Sequence, residues 1–444
     1  MTAADLIIIG AGPGGYRAAE YAAKAGLAVV IVEQGRLGGT CLNVGCIPTK
    51  TLARDAEVAD TLRDAAHFGL SPADVRIDLQ QAIARKDAVV EQLRGGIATL
   101  LAQPGITLVQ GKAVLADAHT VKVGDRAFTA PHVVIATGSS PRSLRLDETD
   151  AETVCHSDGL LALRELPRRL CIVGAGVIGM EFASIFNSFG CEVTVVEFLR
   201  ECLPALDSDV AKRLRKSLEK RGVRFEMQTA VKAIRRGMVV GEKKGRELAI
   251  ETDRALVAVG RVANTDGLGL EAVGVAHSPK GIAVDGNMQT NVAGVYAIGD
   301  VNGRQMLAHA ATMQGIRAVN HILGRADTID FSVMPAAVFT RPEAGSVGLS
   351  EDACKAQGLD YTCRKAFYRA NGKALAMGET DGMVKLMADS ATGRILGCHA
   401  FGAHAADIIQ EVSVLMCSHA TLGRLRDMTH IHPTLGEMVQ DLAF

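Results

Sequence analysis

The sequence predicts an α/β protein with two Rossmann-like dinucleotide-binding domains and an α+β C-terminal domain. Three observations carry this expectation. An apolar strand followed by spaced glycines occurs twice, at Leu6–Gly15 and at Leu170–Gly179. The two copies then stay in register without a gap, so that Gly26 falls on Gly190, Val29 on Val193 and Glu33 on Glu197. From about Phe331 the composition shifts to short β-like runs and then helical stretches. A chain of 444 residues also exceeds what one hydrophobic core ordinarily organises.

Each fingerprint has the full strand, glycine turn, helix, strand and acidic-residue context. Gly10 and Gly174 make the tight turn, Gly12 and Gly176 admit a pyrophosphate against the backbone, and Gly15 and Gly179 let helix pack on strand, with Gly14 beside them. The helix N-terminus then faces the phosphates. Glu33 and Glu197 end the second strand of each copy, where a carboxylate accepts from ribose hydroxyls and repels a 2′-phosphate. Glu197 therefore favours NAD over NADP, although Arg200 lies three residues on.

Directly after the first fingerprint comes Gly38-Gly39-Thr40-Cys41-Leu42-Asn43-Val44-Gly45-Cys46-Ile47-Pro48-Thr49-Lys50. Two cysteines five positions apart on an undistorted helix stand too far apart for a disulfide, so a bridge needs an irregular turn, which Gly38, Gly39 and Gly45 allow. The spacing is too long for a thioredoxin-type pair and has no second pair for zinc. It reads as a redox-active pair beside a dinucleotide site rather than two unrelated core cysteines. The other eight cysteines are scattered without framework spacing and read as reduced, mostly buried thiols.

Further on, Pro131–Gly138 is a buried strand ending in a tight turn, followed by a polar break from Ser139 to Asp158. Ala255–Gly260 closes the second dinucleotide region, and Thr290–Asp300 is another strand ending in a Gly-Asp turn. Leu307 to Leu323 has helical periodicity, while Ala336–Thr340 and Gly382–Met387 are β-like. Near the end, His430 and His432 precede Pro433, and Glu437 follows; a histidine titrating near neutrality with a carboxylate partner suits acid–base work. No third and fourth ligands stand at metal-binding spacing, so no metal is expected.

A net charge of −1 gives no electrostatic case for nucleic acid or anionic membrane. Apolar runs such as Leu27–Val32 and Val173–Ile178 are too short to span a bilayer. Met1 leads into the strand Leu6–Ile9 without a basic or Arg/Ser-rich leader, so the cytoplasm is the expected compartment.

On the block at Gly38–Lys50, the segment Ala297-Ile298-Gly299-Asp300 and the closing His432-Pro433-Thr434-Leu435-Gly436-Glu437, the chain resembles the pyridine nucleotide-disulfide oxidoreductases over its whole length. The resemblance assigns FAD to the first fingerprint and NAD to the second, and implies the segments 1–141 (FAD-binding, first part), 142–262 (NAD-binding), 263–330 (FAD-binding, second part) and 331–444 (interface). It implies a Cys41–Cys46 redox disulfide against the flavin, cofactor contacts at Gly39, Thr40, Lys50, Thr137, Gly138, Gly260, Gly299, Asp300, Ala308 and His309, and a Lys50–Glu181 ion pair beside flavin and nicotinamide. His432, oriented by Glu437, would be the catalytic base, supplied by the partner subunit of a homodimer. Gln314 stands where many relatives carry glutamate.

The implied reaction is oxidation of dihydrolipoamide, carried on a lipoyl carrier protein or domain of a 2-oxo acid dehydrogenase or glycine cleavage complex, with reduction of NAD⁺. Glutathione-type reductases share the cysteine block yet favour NADP, against Glu197. Mercuric and large thioredoxin reductases add reactive residues at a C-terminus that here reads Glu437–Phe444 without cysteine, and soluble transhydrogenases lack the cysteine pair. A mere docking subunit of a dehydrogenase complex would have no need of Cys41, Cys46, His432 and Glu437 together.

Overall fold

The computed structural model describes residues 2–71 and 74–444, which form two compact units. The first comprises Met1–Thr51, Ile83–Arg142 and Gly260–Ile329; the second comprises Leu52–Ala82, Ser143–Val259 and Asp330–Phe444.

The first unit is built on a five-stranded parallel sheet in the order Val295–Ala297, His132–Ile135, Leu6–Ile9, Val29–Glu33, Ile106–Gln110. Leu6–Ile9 is apolar at every position because it is central and covered on both faces, as parallel strands are. Helix α1 (Pro13–Lys24) opens with proline at its first position and covers the sheet with Ala18, Ala19 and Ala22. It packs closely on the helix Ala308–Ile322: a Cβ on Gly14 would lie 3.1 Å from Ala311 O, and one on Gly315 3.1 Å from Ala18 Cβ. Gly14 is thus a packing glycine between two helices. Helix α2 (Gly39–Val44) and the start of α3 (Cys46–Arg63) follow, and α4 (Leu79–Leu101) returns to the sheet edge.

The second unit repeats this plan. Its parallel sheet runs Val154–Cys155, Arg254–Val257, Arg169–Val173, Glu192–Glu197, Arg224–Met227. In both sheets the fingerprint strand lies where the strand order reverses direction, the place at which open α/β sheets bind ligands. A second sheet, formed mainly by the antiparallel strands Thr229–Arg235, Met238–Lys243 and Arg246–Glu251, is inserted before the closing strand. From Ala336 the unit holds a five-stranded antiparallel sheet, order Ala336–Val338, Glu343–Gly348, Ile395–Gly402, Met383–Asp389, Tyr361–Phe367. The helix Ala405–Cys417 buries Ile408, Ile409 and Val412 in the same core as Val347, Leu386, Ala400, Met438 and Val439.

The sequence reading holds closely at Leu6–Ile9 and at the helix Ala308–Ile322. The expected strand Ala336–Thr340 stops at Val338, and that expected over Gly382–Met387 begins at Met383 and runs on to Asp389. Five of the eight remaining cysteines are buried, but Cys155 and Cys363 are half-buried and Cys417 is exposed, because it ends the helix Ala405–Cys417 at the surface.

Candidate active site

The stretch between the two cysteines is a broken helix. Gly45 ends α2 with φ −136° and ψ −114°, and α3 begins at the next residue, Cys46. A Cβ on Gly45 would stand 2.9 Å from Thr40 O and 3.2 Å from Cys41 Cα, so only glycine lets the chain double back against Cys41. Cys41 and Cys46 are half-buried thiols that share a hydrogen bond. This bond, then burial and the charge of Cys46, push the Cys41 thiol well up, with Lys50 pulling the other way. Cys46 sits at the N-terminus of an 18-residue helix, where the dipole favours an anion.

This turn is fastened to the first fingerprint. Gly38 N donates to Ala11 O at 2.9 Å, and a Cβ on Gly39 would stand 2.8 Å from Gly12 Cα. Thr40 is exposed, and Lys50 is half-buried.

The two fingerprints are near-copies in geometry as well as in sequence. Gly10 and Gly174 both have φ +107°, the left-handed region, and a Cβ there would strike Ala136 O at 2.4 Å and Ala258 O at 2.5 Å. A Cβ on Gly15 or Gly179 would lie 1.9 or 2.0 Å from the carbonyl oxygen of Gly10 or Gly174. Glu33 accepts from Ala11 N and Gly35 N, each at 2.7 Å; Glu197 accepts from Ala175 N at 2.6 Å and Leu199 N at 2.8 Å. Neither fingerprint helix has a side-chain cap at Gly12 or Gly176, so first-turn N–H groups are left for a ligand. A Cβ on Gly176 would meet nothing within 4 Å. Backbone donors at an open helix end beside a carboxylate at the end of the second strand fit a dinucleotide in each unit.

Around the first cradle, Thr137 and Gly138 are held by a residue that sequence reasoning passed over. Asn264 Nδ2 donates to Thr137 O at 2.9 Å, its backbone N donates to Gly138 O at 3.0 Å, and Thr137 Oγ1 donates to Asn264 O at 2.7 Å. The Asn264 signal was weak, a lone asparagine after the strand Arg261–Ala263. Gly260 has φ +110° with open space beyond it. Asp300 accepts from Ser139 Oγ and lies 3.9 Å from Arg261 Nε. Buried Gln314 accepts through Oε1 from Gly299 N at 2.7 Å and Asn302 Nδ2 at 2.8 Å, tying the helix Ala308–Ile322 to the Gly299 turn. An amide oxygen suffices for that task, so glutamine serves here. Ala308 and His309 lie at the uncapped start of this helix.

The remaining site residues belong to the second unit. Buried Glu181 accepts from Phe339 N at 3.0 Å. Glu437 Oε1 lies 2.9 Å from His432 Nδ1, and its Oε2 accepts from Thr434 N at 2.8 Å. The Thr434 N–H first, and His432 second, hold the Glu437 carboxyl below its ordinary range. An ionised carboxylate only accepts, so the shared proton belongs to Nδ1 and Nε2 is the basic nitrogen. The His432 side chain is 82% exposed. His430, which the sequence left without a role, pairs through Nε2 with Glu411 Oε1 at 2.7 Å and anchors this loop to the helix Ala405–Cys417. Cys41, Cys46 and Lys50 thus fall in one unit, and Glu181, His432 and Glu437 in the other. Among the described residues no cluster of three or more His, Cys, Asp or Glu side chains is arranged to hold a metal.

Comparisons with known proteins agree with this architecture. Residues 4–315 match the family model for pyridine nucleotide-disulphide oxidoreductases, and residues 334–443 match the dimerisation domain of the same family. A dihydrolipoyl dehydrogenase of Chlamydia muridarum is 38% identical over 98% of this chain and 95% of that protein. One of Cupriavidus necator is 39% identical over 99% of this chain and 97% of that protein. The solved Cu(II) complex of the HOCl-induced flavoprotein disulfide reductase RclA from Escherichia coli superposes with a TM-score of 0.89, at 31% identity, covering 100% of this chain and 99% of that one. With two matching cradles, a broken helix between paired thiols and a dimerisation domain that supports a homodimer, the chain belongs to the pyridine nucleotide-disulphide oxidoreductase family.

Proposed function

We propose that the protein is a dihydrolipoyl dehydrogenase, oxidising dihydrolipoamide to lipoamide with NAD⁺ as acceptor. The observation that carries this reading is the coexistence of the Cys41/Cys46 pair at the Gly45 break with a histidine whose basic nitrogen faces outward, His432 backed by Glu437. The two relatives named dihydrolipoyl dehydrogenase match this chain over nearly its whole length. The segments 1–141, 142–262, 263–330 and 331–444 are the proposed domains; breaks between compact units after Arg142, Val259 and Ile329 support these boundaries, whereas Leu52–Ala82, within the first segment, groups with the second unit.

FAD is assigned to Gly10, Gly12, Gly14, Gly15 and Glu33 with Gly39, Thr40, Thr137, Gly138, Gly299, Asp300, Ala308 and His309 around it. NAD is assigned to Gly174, Gly176, Gly179, Glu197 and Gly260, and Lys50 and Glu181 are assigned to cofactor contact as well. When bound, these cofactors supply the two-electron path from the thiols to nicotinamide.

The protein's part is thiol chemistry. His432, contributed by a second copy of the chain, takes the proton of the first substrate thiol. The resulting thiolate attacks Cys41 Sγ, the Cys41–Cys46 bond breaks, and Cys46 leaves as a thiolate at the α3 N-terminus. The second substrate thiol then attacks the substrate sulfur of the mixed disulfide. Its proton passes to the departing Cys41, lipoamide is released, and the protein holds a Cys41 thiol, a Cys46 thiolate and a protonated His432. Substrate has lost two electrons and two protons, and both are accounted for. The raised Cys41 thiol and the helix behind Cys46 support this distribution of charge.

A lipoyl group on a carrier protein is the proposed physiological substrate, and the cytoplasm the proposed site of action; among the described residues no helix is long and apolar enough to cross a membrane. The test is steady-state turnover with dihydrolipoamide plus NAD⁺, run beside NADPH plus glutathione disulfide and NADH plus Cu(II). Fast NAD⁺ reduction with little activity in the other two is expected. Turnover confined to either of them would replace the substrate assignment with a disulfide or metal reductase of the same family.

A further inference from the structure

Asn43 stands between the two cysteines, and its side-chain amide makes four hydrogen bonds. Nδ2 donates to Leu37 O at 2.9 Å and to Gly39 O at 2.8 Å. Oδ1 accepts from Arg94 Nε at 3.1 Å and from Arg94 Nη2 at 2.9 Å. A primary amide has two N–H donors and one oxygen with two lone pairs, so Asn43 is saturated. Arg94 reaches it from α4 and is itself paired with Glu91 one turn earlier. The segment so gripped has little stiffness of its own, because Gly38 and Gly39 follow one another at φ +92° and +59°.

We infer that Arg94 is a positioning residue for the redox pair, acting through Asn43. The two ends of an amide are nearly the same shape, and a guanidinium can only donate. Arg94 therefore turns the oxygen of Asn43 toward itself and its NH₂ group onto the two carbonyls ahead of Cys41. The turn is held with Cys41 facing the start of α3, where the disulfide closes. Direct electrostatics do not account for the arrangement, since the groups acting most on the Cys41 thiol are Cys46 and Lys50. The inference rests on the reading of Cys41 and Cys46 as a redox pair.

The test is the dithiol–disulfide equilibrium of the flavin-loaded protein in graded dithiothreitol buffers, acid-quenched, alkylated and read by mass spectrometry. Two electrons and two protons pass to the pair as dithiothreitol closes its own disulfide. Arg94→Ala is expected to make the pair about tenfold easier to reduce, the scale of lost charge-assisted hydrogen bonds. Arg94→Lys, which keeps the charge and a donor nitrogen but not the fork, should fall between it and wild type, and decides the matter if Arg94→Ala does not fold. Combining Arg94→Ala with Asn43→Ala should add nothing to Asn43→Ala alone. An equilibrium within twofold of wild type in a folded Arg94 variant, or additive effects in the double variant, would overturn the inference while leaving the redox reading intact. A wild-type pair that never closes at any buffer composition would overturn both.

Discussion

Glu437 divides its two oxygens between the Thr434 amide and His432, and that division decides what the histidine can do. One oxygen fixes the loop and the other fixes the tautomer, leaving Nε2 as the basic nitrogen. His432→Gln is expected to lower turnover with dihydrolipoamide by about 10²–10⁴-fold, the usual span for loss of a positioned general base. Glu437→Gln should lower it less while preserving flavin content, as steady-state rates beside flavin absorbance would show; unchanged turnover in His432→Gln would remove the base from the mechanism. At this scale the sequence was legible where chemistry repeats a spacing. Glu33 and Glu197 could be placed because each lies at a fixed distance from its glycines. Asn264 and Arg94 could not, because each acts on a partner over a hundred or about fifty residues away, with nothing local to mark it.

Among the elements, the break at Gly45 separates a functional turn from an ordinary helix. Had α2 run straight into α3, Cys41 and Cys46 would point to different faces. Gly45→Ala places a methyl 2.9 Å from Thr40 O and 3.2 Å from Cys41 Cα, so the turn must open. The expected result is a pair that resists oxidation, with a stability loss of about 1–3 kcal/mol. Thiol titration after oxidation, beside thermal unfolding, measures both; a variant that still closes the disulfide as readily as wild type would sink the argument. The need for an irregular turn follows from the cysteine spacing alone, but the choice of Gly45 over Gly38 or Gly39 does not. Other elements left fainter traces. The strands Met238–Lys243 and Arg246–Glu251 meet at Lys244-Gly245, both at positive φ, a hairpin signal that the reading missed. Helix α4 hid behind Gly95-Gly96, which face open space and weaken a helical pattern without ending it.

On the scale of the whole molecule, long-range polar contacts join what sequence reading keeps apart. In the second unit, Lys385 Nζ donates to both oxygens of the fully buried Asp207, at 2.8 and 2.9 Å, and lies 2.7 Å from Glu351 Oε2. Asp207 caps the helix Ser208–Lys220 and also accepts from Glu351 N, while its own N–H donates to His399 Nδ1 at 3.0 Å. The dinucleotide-binding half of this unit is thereby pinned to its antiparallel sheet by charge that water does not reach. Lys385→Met leaves Asp207 buried without its cation, and a loss of about 3–5 kcal/mol is expected in denaturant unfolding. Little change would mean that the cap hydrogen bonds alone hold the carboxylate. Lys355 first, and Lys385 second, push the Glu351 carboxyl down to about 2 from its ordinary 4.5. A lowered folded-state value means that this contribution is complete above the unfolded value and fades as pH falls from about 4.5 toward 2. None of this was legible in advance, because Asp207 and Lys385 are 178 residues apart and neither sits in a motif.

The outward-facing His432 has a consequence for how the protein behaves when scarce. On the proposed reading each chain folds its own thiol pair and cofactor cradles, yet borrows its base from a neighbour, so competence is a bimolecular property. Below the concentration at which two copies stay together, activity per chain falls with dilution.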